Sequence, residues 1–167
     1  MNNPTLKDLY GKDLYESACA PSVHDTLTPD QELVHLRYNG PDLSKCKNLT
    51  SIGQSAFMQC KTLQTIDLSG CVTLTSIGEM AFKYCFILET VNLSGCVNLA
   101  SIGTSAFMNC EKLVEIDLSE CAELTSMGAG AFKNCMKLKT VNLSGCVNLT
   151  SIGESAFIKC EKLSPGA

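Results

Sequence analysis

Most of this chain is one phrase repeated. LTSIGQSAFMQCKTLQTIDLSGCVT begins at Leu49, and close copies begin at Leu74, Leu99 and Leu124, with a shortened one at Leu149, so the period is 25 residues. A unit that short cannot bury its own apolar side chains. Copies must therefore stack, each Leu, Ile, Phe and Cys lying against its equivalents in a continuous core, and the chain is expected to be a solenoid. Ten of its 11 cysteines obey the period in two columns, Cys46, Cys71, Cys96, Cys121, Cys146 and Cys60, Cys85, Cys110, Cys135, Cys160. Cys19 alone stands outside.

Within a unit, Leu63, Ile66 and Leu68 lead into Ser69-Gly70-Cys71 and Leu74, an inward–outward alternation followed by a turn, which reads as a short strand and its exit. Thr75-Ser76-Ile77-Gly78 reads as a further extended piece closed by glycine. Ala81, Phe82 and Cys85 then follow at helical spacing, predicting one brief helix per unit. A longer rhythm overlies this one. Units starting at Leu49 and Leu99 share AFM and IDLS, while those at Leu74 and Leu124 share AFK and VNLS, which implies duplication of a 50-residue pair.

LQTIDLSGCVTL, at Leu63 to Leu74, resembles the leucine-rich-repeat core pattern, with cysteine in the asparagine place. The wider CxxLxxIxLSGCxxLTxxGxxAFxxC frame looks like the cysteine-containing subclass familiar from substrate-receptor F-box proteins. Its LTSIGxxAFxxC half is similar to the BspA-like repeats of bacterial and protist surface proteins. The resemblance spans about residues 38 to 163. It implies a curved right-handed array that recognises other proteins, and it implies no chemistry. The expected fold is α/β: a leucine-rich-repeat solenoid with one parallel sheet of about five strands on the concave face and short helices on the convex face. An N-terminal helical cap is expected over residues 1–37, the array over 38–163, and a tail without a recognisable cap over 164–167. Asn3-Pro4 and Thr28-Pro29-Asp30-Gln31 supply the helix starts in the cap.

Thirteen basic against 17 acidic residues give a net charge of −4, which argues against nucleic acid and anionic membranes as partners. The start lacks a basic segment followed by an apolar one, so the chain as given is expected to be cytoplasmic, or surface-exposed if it is a fragment. The cysteine spacings of 11 and 14 residues do not suit zinc, and stacked cysteines point the same way, a poor match to disulfide geometry. Thiols are expected to be reduced and to act as small apolar side chains. Cys19 with His24 and His35 lacks a group to orient a base, so no catalytic, cofactor or metal residues are expected.

Binding is expected on side chains that the strands turn outward. Reading columns across units, Gln64, Glu89 and Lys139 make one; Asp67, Asn92, Asp117 and Asn142 another; Glu115 and Glu120 interrupt columns of Thr and Gly. Five acids facing one lysine make this sheet acidic, suited to another protein or a peptide carrying basic groups. A second candidate is the apolar cluster of Tyr84, Phe86 and Ile87, at positions where other units are mostly polar. The lysines of the predicted helices are read as a solvated convex face. The alternative function is a structural or designed repeat array, or a fragment of a larger surface protein, forming a homodimer through a C-terminal end where Leu149, Ile152, Phe157 and Leu163 are poorly covered.

Overall fold

The computed structural model describes residues 43–44 and 46–164, so the expected helical cap over residues 1–37 lies outside the described residues. Each 25-residue unit makes one turn of a coil. Its first strand is three residues long: β2 (Thr65–Asp67), β4 (Thr90–Asn92), β6 (Glu115–Asp117) and β8 (Thr140–Asn142). Its second is two residues long: β1 (Ser51–Ile52), β3 (Ser76–Ile77), β5 (Ser101–Ile102), β7 (Ser126–Met127) and β9 (Ser151–Ile152). All pairings are parallel, with partners 25 residues apart, as in Ile52 with Ile77 and Thr65 with Thr90. The period of the sequence is thus the register of the sheets.

The expected single sheet is corrected in one respect. The continuous five-stranded sheet, in the order β1-β3-β5-β7-β9, is built from the Ser-Ile segments, while the longer Thr-Ile-Asp-type strands form two separate pairs, β2-β4 and β6-β8. Glycine follows each Ser-Ile or Ser-Met pair, and at Gly78, Gly103, Gly128 and Gly153 the preceding turn touches it through backbone alone. A Cβ on Gly128 would lie 2.3 Å from the backbone nitrogen of Thr104.

The expected convex helices do not form; among the described residues there is no helix. Ala56, Met58 and Cys60 donate locally to carbonyls three residues back (3.3, 3.1 and 3.2 Å), but the residues between them reach outward. Ser55, Phe57 and Gln59 donate to the Glu79, Ala81 and Lys83 carbonyls of the next turn at 2.9, 2.7 and 2.8 Å, and the pattern recurs in later turns. This turn ladder needs two left-handed residues per turn, such as Ser55 (φ 56°) and Gln59 (φ 63°). The physical reason is spacing. Strands on the other sides set neighbouring turns about 4.8 Å apart, whereas packed helices need about 8–10 Å between axes. Chain already held at strand spacing cannot close through a helix, so its amides bond between turns instead.

The spacing of Ala81, Phe82 and Cys85 nevertheless marks inward residues, all fully buried. Phe57, Phe82, Phe107, Phe132 and Phe157 stack along the axis with ring centroids 5.0–5.4 Å apart and planes within 7°. The cysteines do more than fill space. Cys85, Cys110, Cys135 and Cys160 each donate Sγ–H to the carbonyl 28 residues back, on Phe57, Phe82, Phe107 and Phe132, at 3.0–3.2 Å. In the other column Cys71, Cys96 and Cys146 do the same to Leu43, Leu68 and Leu118 at 3.2–3.3 Å. Each such thiol pins its turn to the one before. Nine of the described cysteines stand as thiols outside any disulfide.

Candidate protein-binding surface

In β2, β4, β6 and β8 the middle residue, Ile66, Val91, Ile116 or Val141, is buried and its neighbours face outward, as strand alternation requires. This sets Asp67, Asn92, Asp117 and Asn142 in one column, and their role there is partly structural. Their Oδ1 atoms accept from the Ser69, Ser94, Ser119 and Ser144 amides at 2.9–3.1 Å, tying down each strand exit. Asn92 Nδ2 also donates to Asp67 Oδ1 at 3.1 Å. Acid and amide alternate because two carboxylates stacked at strand spacing would repel, whereas an amide donates to the carboxylate beside it. The alternation of Asp and Asn within the 50-residue rhythm is accounted for in this way.

The remaining acids divide by partner. Glu89 lies 3.7 Å from Lys112, both about half exposed, and Glu120 accepts from the Gly95 amide of the preceding turn. Glu115 is exposed at the start of β6. Asp117 is exposed as well, and the Ser119 hydroxyl and amide, with a contribution from Asn142, hold its carboxyl below the usual range. It therefore keeps its charge under mildly acidic conditions. Gln64 is half-buried and its carbonyl accepts from Glu89 and Thr90, while Lys139 is exposed near the other end of the face. The structure thus brings the expected acidic residues onto one side of the coil, with Glu115, Asp117 and Glu120 together on the third described turn.

Tyr84, Phe86 and Ile87 lie elsewhere, at the exit of the turn ladder. Phe86 is 44% exposed, and Tyr84 and Ile87 are half-buried. The Tyr84 and Phe86 rings meet at 5.8 Å with a 44° tilt, and Lys83 Nζ lies 5.1 Å from the Tyr84 centroid. The two candidate surfaces adjoin, since Lys112, the partner of Glu89, holds the place of Ile87 one turn on. Sequence columns missed a third exposed feature, Val72, Val97 and Val147 immediately after the cysteine of the β2, β4 and β8 exits, with Ala122 in that place after β6. Its signal was present in the recurring Cys-Val pair, which is apolar where the chain has already turned outward. Among the described residues no group of three or more histidine, cysteine and carboxylate side chains is placed to hold a metal ion.

A family model described as the BspA type leucine rich repeat region matches residues 40–164 in six copies. No curated protein matches the chain. Among solved structures, the chain is similar to a leucine-rich repeat protein from Bacteroides ovatus at 24% identity with a TM-score of 0.55, over 89% of this chain and 38% of that one. It is similar to a leucine rich cell surface protein from Faecalibacterium prausnitzii at 25% identity (TM-score 0.39, 70% of this chain, 42% of that one). The pneumococcal vaccine antigen PcpA is 27% identical (TM-score 0.46, 64% and 27%). The chain therefore spans less than half the length of these three solved proteins, and the first likeness shows the fold.

Proposed function

The chain belongs to the BspA-type leucine-rich repeat family, and on that premise we propose that it is a non-enzymatic scaffold that recognises a basic segment of another protein on the β2-β4-β6-β8 face. The observation that carries this reading is the exposed pair Glu115 and Asp117, neither in an ion pair among the described residues, beside Glu120. Exposed carboxylates on strands steer and orient a cationic partner more than they bind it tightly. Binding of a fluorescent oligolysine peptide, measured by anisotropy, should weaken steeply from 50 to 300 mM salt, and Glu115→Lys with Asp117→Lys should abolish it. Affinity indifferent to both salt and the substitutions would end the proposal.

A second reading, self-association, is favoured by the last described turn, where Ile152 and Ile158 are 49% and 45% exposed and both residues of β9 lack cover. Such a surface pairs with a second copy through an isologous contact. Light scattering across a concentration series should then show a dimer that Ile152→Glu converts to monomer. A monomer at every concentration would remove this reading.

A further inference from the structure

The face that carries β2, β4, β6 and β8 is interrupted at one junction. Leu43 donates to Asp67, Leu68 to Asn92 and Leu118 to Asn142, at 3.0, 2.9 and 2.9 Å, yet among the described residues no corresponding bond joins Leu93 to Asp117. Cys71, Cys96 and Cys146 donate to the carbonyl 28 residues back, yet no such bond joins Cys121 to Leu93. β4 and β6 are likewise unpaired as strands. Strand pairing, of which the Leu93 bond is a part, and the thiol bond fail together between the second and third described turns, where the Val114 amide still reaches the Glu89 carbonyl at 3.4 Å.

The same junction carries Glu120 where the turns on either side carry Gly70, Gly95 and Gly145; Lys45, which opens the column, lies outside the described residues. The column requires glycine because the serine carbonyl of the preceding turn points straight at it. A Cβ on Gly70 would lie 1.4 Å from the Ser44 carbonyl oxygen, and one on Gly145 would lie 1.6 Å from that of Ser119. Glu120 carries a Cβ, so the Ser94 carbonyl one turn earlier must point elsewhere. Gly95, the next residue, is the member of its column found left-handed, at φ +75°. Rotating the Ser94–Gly95 peptide moves that carbonyl away and presents the Gly95 amide to the Glu120 carboxylate, which accepts it. A residue other than glycine would be strained at Gly95.

We infer that Glu120, through its Cβ, parts this face of the coil into one block that runs from Leu43 through β4 and another that starts at β6, and makes the β4–β6 junction the point where it opens first. The device is independent of what the face binds, because it concerns bonds within the chain alone. Its test is amide hydrogen exchange read by NMR, with the Leu68 and Leu118 amides as internal references for an intact ladder. In the unmodified protein the Leu93 amide should exchange about tenfold faster than either, or more. Glu120→Gly, which restores the column, should slow Leu93 to match them. Glu120→Ala keeps the Cβ while losing the carboxylate, so Leu93 should remain fast. The inference is overturned if Leu93 is already as slow as its references, if Glu120→Gly leaves it unchanged, or if Glu120→Ala slows it equally. Loss of oligolysine binding in Glu115→Lys with unchanged exchange at Leu93 would separate the two proposals.

Discussion

At the scale of single residues, the buried thiols set a chemical limit on the fold. Burial pushes Cys85 from an ordinary value of 9.0 up to about 12, and Cys96 and Cys121 likewise, helped at those two by neighbouring thiols and acids. Cys110, almost wholly enclosed, is raised by burial and then by Cys135 and Cys85. A folded value above the unfolded one means that stability is complete below about pH 8.5 and is lost as rising pH ionises thiols in the unfolded chain first. The urea midpoint should therefore hold from pH 7 to 8.5 and fall from pH 9 upward. Replacing Cys85 and Cys110 by alanine should flatten that fall while lowering the plateau. In thiol titration at pH 8, the half-buried Cys46 and Cys160 should react well before Cys85 or Cys110. Backbone contact is as exacting as sulfur burial. Gly128→Ala, forced against Thr104, should destabilise by about 2–3 kcal/mol in the same urea assay.

Among elements, the turn ladder makes a prediction whose sign separates it from the helix that the sequence suggests. Met80 is held left-handed at φ 55°, a conformation costing about 1–2 kcal/mol for a residue with a Cβ, and Gly130 occupies the equivalent place two turns on. Met80→Gly should therefore stabilise by about 0.5–1 kcal/mol once glycine's added chain entropy is deducted. Inside a helix the same change would cost about 1 kcal/mol. The comparison also shows what a sequence can reveal. Ala81, Phe82 and Cys85 were legible as core, because their recurrence requires burial. Their backbone was not, because residues at i, i+1 and i+4 face inward in a helical turn and in consecutive β-turns alike. Ser76-Ile77 was legible as extended but not as the continuous sheet, since two residues carry no alternation to read. At the candidate surface, Glu89, Glu115 and Glu120 were legible as exposed columns. The capping duty of Asp67, Asn92, Asp117 and Asn142 was hidden, because it depends on where the next two amides point.

For the whole molecule, stability in a stacked coil is nearly a sum over turns and the interfaces between them. Phe107 stacks on rings both above and below, at 5.0 and 5.2 Å, and is fully buried. Phe157 stacks on Phe132 at 5.4 Å and is half-buried in the last described turn. The same substitution should therefore have different consequences at the two places. Phe107→Ala leaves a cavity against two interfaces and should cost about 3–5 kcal/mol, whereas Phe157→Ala touches one interface and should cost markedly less. Cooperativity should respond as well. A weakened middle separates the turns on either side, so Phe107→Ala should broaden the urea transition and lower its slope, while Phe157→Ala should shift the midpoint with the slope nearly intact. Circular dichroism and exchange protection of the Leu68 and Leu118 amides, followed through the same titration, would measure this. Equal costs and equal slopes for the two variants would mean that the coil melts as one indivisible unit, and that coupling between turns extends well beyond nearest neighbours.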